Sequence, residues 1–485
     1  MSEEKKTISK SYVLVAPDGG WGYVICVAMT INLVTTTGFI QCFGLIYKDF
    51  LQEINMESTH VTLLGGINAI FTAISGFIAS PLLKILSIRK LAFISALIYD
   101  IGVLGTVFTN SKFPFFICFG VLQGAGLGLS YNISVTRLNE YFVKRRLLAN
   151  SIAQTAIGFC TMLTPTISSW SLNTYGFRGT LLLITGISLQ NLIASALMQP
   201  CKWHMKKIEI DGNDERQMML VEDKSNTSSD TPIIKSIDLE RKGSVEKGNE
   251  FPSDTDKRTG WRKFLETFID LSLCKTFVIS CSCIGPALIY FADGTTAVLL
   301  PQALYAAEWE QESVSWALSS ILFGDLAIRV TMMFSSKWLE IIGSRGLIIA
   351  GIWIGFISRL GMLWSTNHIV IDIYIGLMGV SRGLYVVLLP VVIADAVNPE
   401  QFTSAIGIVL LISGIMCLTV APAIGKIRDS TNSYPTALYI LACIYAIVIL
   451  FWSIEILYKR NEHKRRAREE ILKKTNKLKM SNKPK

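Results

Sequence analysis

Asp325 and Arg329 stand four residues apart inside the apolar run Leu322-Phe-Gly-Asp-Leu-Ala-Ile-Arg-Val330. That spacing puts both side chains on one helix face, where they can pair. A charge at the bilayer centre costs roughly 2.5–3.5 kcal/mol on insertion scales, so such residues face a bundle interior or a water-filled cavity. A protein that keeps both residues at that depth is most simply read as one that moves a polar or charged solute. The competing reading is a permanent ion pair that only neutralises two buried charges.

Other ionisable residues share this depth. Asp293 lies in Tyr290-Phe-Ala-Asp-Gly294 and Arg382 in Gly379-Val-Ser-Arg-Gly383. Arg382 either contacts an acidic group of a solute or pairs internally with Asp293. Asp100 and Arg359 read either as cavity residues or as shallow ones whose ends snorkel to the interface. His60, His204, His368 and His463 are scattered through loops and tails and form no metal set. No nucleophile–base pair or phosphate-binding loop stands out, so neither enzyme chemistry nor a cofactor is expected. The run Gly124-Ala-Gly-Leu-Gly128 follows no strand and reads as close helix packing.

The elements that must position these residues are long apolar helices. Of 485 residues, 51% are hydrophobic and 17% charged, against about 25% charged in soluble domains. Spans are expected at 22–46, 61–84, 90–109, 113–136, 147–172, 178–199, 274–301, 313–336, 346–366, 368–395, 402–427 and 434–458. The fold class is therefore an all-α polytopic membrane protein of twelve transmembrane helices. The expected units are an N-terminus (1–21), a six-helix half (22–199), a loop (200–263), a second six-helix half (264–458) and a basic tail (459–485). The loop is too polar to offset chain entropy and is expected to be mostly disordered.

Lys84, Arg89, Lys90, Arg137, Lys144, Arg145, Arg146, Lys337 and Arg345 fall on one side of these spans. Lys48, Lys112, Arg178, Lys426 and Arg428 fall on the other. The bias places the first side, both termini and the central loop in the cytoplasm. The net charge of +9 is thereby assigned to topology and anionic lipid, not to nucleic acid. Most of the ten cysteines lie inside apolar segments, without a disulfide or zinc pattern. The charged start of the chain lacks a short apolar core with a cleavage site, so no signal peptide is expected. The halves also echo each other: Leu86-Ser-Ile-Arg-Lys90 after the second span resembles Ile342-Gly-Ser-Arg345 after the eighth. Such recurrence suggests a parallel six-plus-six repeat, with solute held near the midplane between the halves.

Pro17-Asp-Gly-Gly-Trp-Gly-Tyr23 precedes the first span, with Asp18 suited to capping the helix start and Trp21 to the interface. With Tyr141-Phe-Val-Lys-Arg-Arg-Leu-Leu-Ala149 at the entry to the fifth span, it closely resembles the two signatures of the monocarboxylate transporter family of the major facilitator superfamily. The matching residues are Asp18, Gly19, Gly20 and Trp21 in the first signature, and Tyr141, Phe142, Lys144, Arg145 and Arg146 in the second. Tyr23 departs from the family's tryptophan. Tyr175-Gly-Phe-Arg-Gly179 and Gly425-Lys-Ile-Arg-Asp429 also resemble family runs, so the likeness covers nearly all of the chain outside the central loop and tails.

The resemblance implies the fold of two six-helix halves and transport of small organic anions by alternating access. It also implies Arg329 as the carboxylate-binding residue and Asp325 as its proton-carrying or gating neighbour. No cofactor is implied, and a proton is the coupling ion the resemblance suggests. Some family members reach the plasma membrane with a single-span glycoprotein escort. Two positions depart from the proton-coupled lactate carriers: Gln41 replaces a lysine of the first span, and Arg382 replaces an aromatic residue of the tenth. Gln41 neither carries a proton nor attracts an anion by charge, so proton coupling of the lactate type is not expected. The alternatives are facilitated transport of a bulkier carboxylate such as an aromatic amino acid, and a non-transporting sensor that signals through its cytoplasmic loop.

Overall fold

The computed structural model describes residues 11–56, 58–210 and 281–455. Eleven helical stretches are long and apolar enough to cross a membrane, and one of them, Arg146–Leu197, is 52 residues long. Gly176 breaks that stretch with φ 67° and ψ −176°, a conformation open to glycine alone. Two crossings result, and the total is the expected twelve. In chain order the helices are α1 (Trp21–Gly38), α2 (Ser58–Ile85), α3 (Ile88–Phe108), α4 (Lys112–Tyr141), α5 (146–175) and α6 (177–197). The second half comprises α7 (Cys281–Ala306), α8 (Gln311–Ile342), α9 (Ser344–Trp364), α10 (His368–Ala396), α11 (Phe402–Thr431) and α12 (Tyr434–Glu455).

Side chains such as Ile101, Phe108, Trp338, Ile357 and Phe451 are exposed on the outside of the bundle. In water this would be a liability, but in a bilayer it is the lipid-facing surface. Between helices, glycines allow backbone approach. A Cβ on Gly124 or Gly128 would collide with the α2 backbone at Asn68 or Thr72, and one on Gly126 with Tyr99 of α3. The glycine run is thus the close-packing device its sequence suggests.

Helix α1 is irregular for a reason written in its sequence. Thr36 and Thr37 each turn a hydroxyl back onto a main-chain carbonyl four residues earlier, and Thr35 shares its single hydroxyl proton between Ile31 O and Asn191 Oδ1 of α6. Back-bonding of this kind bends helices, and Val34–Gly38 is wound as a π-helix, a form concentrated at functional positions. The chain continues through a 3-10 turn, Ile40–Cys42, and a short helix, Phe43–Ile46.

One small sheet departs from the all-α expectation. Strand β1 (Ser11–Val15) pairs antiparallel with β2 (Lys206–Ile210), in a register that sets Val15 opposite Lys206. Residues 201–210 of the loop expected to be disordered are therefore ordered as a 3-10 turn and a strand. The remainder of that loop, the start of the seventh span and the basic tail lie outside the described residues.

The halves meet on the side bearing Lys84, Arg89, Lys144, Arg145 and Arg345, here termed the basic face. Helices α2 and α11 cross there, with Gly407 against Gly76, Gly414 against Ala73, and the hydroxyls of Ser80 and Ser404 2.5 Å apart. Asn132 Nδ2 of α4 donates to Thr403 O of α11 at 3.1 Å, and Arg146 of α5 approaches Asp395 of α10 at 3.9 Å.

Candidate functional site

Arg329 and Asp325 are 5% and 8% exposed on α8. Arg329 Nε donates to Asp325 Oδ1 at 2.7 Å and Nη2 to Oδ2 at 2.9 Å, a bidentate pair within one helix face. The third arm crosses to the other half, where Nη1 donates to the main-chain oxygen of Gln154 on α5 at 2.9 Å. Gly158, one turn further along α5, leaves room for the guanidinium, since a Cβ there would sit 3.4 Å from Nη1. On the far side, α10 presses its backbone against the pair. A Cβ on Gly383 would lie 2.7 Å from Asp325 Oδ1, and one on Gly379 2.0 Å from Ile321 O. Gln154, Gly158 and Gly383 were not singled out by sequence, although the small-xxx-small spacing of Gly379 and Gly383 was a readable signal. Nothing in the sequence joins Gln154 to Arg329.

Asp293 does not pair with Arg382. Its Oδ1 takes Arg359 Nη2 of α9 at 2.5 Å and the Tyr445 hydroxyl of α12 at 2.7 Å. Arg359 also lies over the Tyr445 ring, 4.0 Å from its centroid, and donates to Gly355 O at 3.0 Å. At 3% exposure Arg359 is buried inside the bundle, with its guanidinium held by protein and not extended toward an interface. It locks α7, α9 and α12 together. Arg382 is left half-buried, close enough to Tyr290 of α7 to act on it electrostatically, and in no ion pair among the described residues. Gln41 lies in the 3-10 turn after α1. Its side chain is outside the described residues.

The two signatures form one joint at the basic face. Asp18 does not cap its own helix, whose N-cap is Gly20 with no side-chain bond. It caps the entry to α5 instead: Asp18 Oδ1 accepts the N–H groups of Val143 at 2.8 Å and Lys144 at 2.9 Å, with Arg145 at 3.5 Å. Asp18 N donates in return to Tyr141 O at 3.1 Å. Trp21 stacks on His204 and Phe142 fills the space left by Gly22, while the Tyr141 hydroxyl donates to Gln199 O at 3.1 Å. Gly19 lies in the turn between Asp18 and Gly20. The side chains of Lys144 and Arg145 are exposed, and Arg146 Nε donates to Phe142 O at 3.2 Å. Arg137, counted above as a loop charge, is 4% exposed and pairs with Glu140 at 2.6 Å. Burial removes it from the topological count, and the bias keeps its sign.

Twelve helices in two halves, with a buried ion pair on α8 whose arginine also reaches the Gln154 carbonyl of the other half, define a membrane carrier. The sequence profile of the Major Facilitator Superfamily matches residues 25–265 and 282–484, and the chain belongs to that superfamily. Within it, the chain is similar to monocarboxylate transporter 1 of Bos taurus, 25% identical over 464 residues that cover 94% of this chain and 89% of that protein. Monocarboxylate transporter 14 of Mus musculus is 22% identical over 503 residues, 96% of each. Among solved structures, the Escherichia coli fucose:proton symporter FucP shares the fold with a TM-score of 0.57 at 14% identity, covering 89% of this chain and 98% of that one. The human organic anion transporter MFSD10 does so with a TM-score of 0.58 at 11% identity and the same coverage.

Proposed function

We propose that this chain carries small monocarboxylates or related organic anions across the plasma membrane by alternating access, with both termini and the central loop in the cytoplasm. The observation that carries this reading is the three-way hold on Arg329. Asp325 occupies two of its donors, and the Gln154 carbonyl of the opposite half occupies a third. A substrate carboxylate that takes the guanidinium must displace Asp325, Gln154 or both. Binding therefore acts on a contact that joins the halves, and the site becomes a coupling point between occupancy and rocking. The joined basic face corresponds to closure toward the cytoplasm. Similarity to the monocarboxylate transporters favours this substrate class.

Arg382 and Tyr290 narrow it. A cation with no anionic partner among the described residues, beside a phenol, favours solutes with an aromatic or second polar group over the shortest monocarboxylates. Uptake of labelled lactate, pyruvate and aromatic amino acids into expressing oocytes tests both levels. Arg329→Ala should abolish uptake of whichever solute is carried, with surface expression retained. Arg382→Phe should shift preference toward short monocarboxylates. Undiminished uptake by a well-expressed Arg329→Ala protein would remove Arg329 from the substrate path.

A further inference from the structure

We propose that Asp100 on α3 is a proton-binding carboxyl of the transport cycle, acting on the π-helical segment of α1; this rests on the carrier reading above. Asp100 lies twelve residues into α3, about 18 Å along the helix axis, which is near the midplane. It is 5% exposed, and neither carboxyl oxygen is in a hydrogen bond. The polar groups it faces are Ser188 and Asn191 of α6, close to the carboxyl but outside hydrogen-bond geometry, and the Asn191 Nδ2 donor has no partner either. The titratable groups nearby are the phenols of Tyr99 and, beyond it, Tyr47. No basic side chain among the described residues acts on the carboxyl. Its position thus differs from those of Asp325 and Asp293, each held by an arginine. An intramembrane acid without a cation is stable there when it holds a proton. Asn191 and Ser188 give the deprotonated form donors to turn to, so both states have a place.

Two groups connect this carboxyl to α1. Asn191 Oδ1 accepts the Thr35 hydroxyl, and Tyr99, the residue before Asp100, donates its hydroxyl to Thr36 O at 2.9 Å. Both fasten the Val34–Gly38 π-turn. When Asp100 loses its proton, it recruits Asn191, and the hold on Thr35 changes with it.

Acid-minus-neutral infrared difference spectroscopy on the purified, reconstituted protein reads the site without any substrate. The wild type should show the carbonyl stretch of a buried protonated carboxylic acid, and Asp100→Asn should lack that band. Asp100→Glu, should the amide variant fail to fold, should keep the band at a displaced frequency. In proteoliposomes, an inwardly directed proton gradient should stimulate wild-type uptake several-fold, and Asp100→Asn uptake not at all. A wild-type spectrum without the band, a band unchanged in Asp100→Asn, or equal gradient stimulation in both proteins would overturn the proposal. Absence of uptake of every carboxylate would overturn the carrier reading alone, and the infrared result would still decide Asp100.

Discussion

At the scale of single residues, the pair on α8 was legible because its geometry is local. Four residues of helix set Asp325 against Arg329 whatever the rest of the fold does. The partner of Asp293 was not legible, because α7, α9 and α12 are adjacent only after folding. Arg359 and Arg382 carry the same charge, and sequence spacing does not decide which of them meets Asp293. Burial of Arg359 makes the consequence testable. Asp293→Asn would leave a guanidinium without its counter-charge, at a cost of about 3–5 kcal/mol, and should sharply lower expression and melting temperature. Asp293→Asn with Arg359→Leu should recover much of the loss. If the single variant is as stable as the wild type, the pair does not hold these helices. Gly383 makes a second prediction at this scale. Gly383→Ala places a methyl group against Asp325 Oδ1 and should cut uptake by about tenfold or more through displacement of the pair, with surface expression, measured in parallel, less affected.

Among the elements, helix boundaries followed hydropathy closely, and the irregularities did not. The Thr35-Thr-Thr-Gly38 run carried a signal for a distorted α1 in its back-bonding hydroxyls. The role of Asp18 carried none, since capping one's own helix and capping another look alike in one dimension. Its true position makes the first signature a clamp on the second. Asp18→Ala should lose a capping interaction worth about 0.5–2 kcal/mol and loosen the entry to α5, which thiol labelling of a Val143→Cys reporter would read as faster modification. Unchanged labelling would mean that Phe142 against Gly22 suffices. Gly20, at φ 58° and ψ −121°, should tolerate no side chain, and Gly20→Val should express poorly.

For the whole molecule, twelve crossings in two halves were readable from composition and spacing, because a bilayer admits few alternatives. How the halves meet was not readable, since it rests on small residues that match only in three dimensions. The α2–α11 crossing offers a direct check. Ser80→Cys with Ser404→Cys should form a reducible cross-link and arrest uptake until thiol reductant is added; uptake unaffected by complete cross-linking would mean that the halves do not separate there. The sheet was invisible for a different reason: five-residue strands nearly two hundred positions apart leave no periodicity to detect. That separation bears on how the chain is made. Strand β1 leaves the ribosome first, yet its partner follows 191 residues later, counting from Val15 to Lys206. At ordinary elongation rates of about 5–20 residues per second, the strand waits roughly ten to forty seconds with its edge unsatisfied while six helices enter the membrane. Until β2 arrives, β1 is an unpaired sheet edge, and closing the sheet marks completion of the first half before the second is begun.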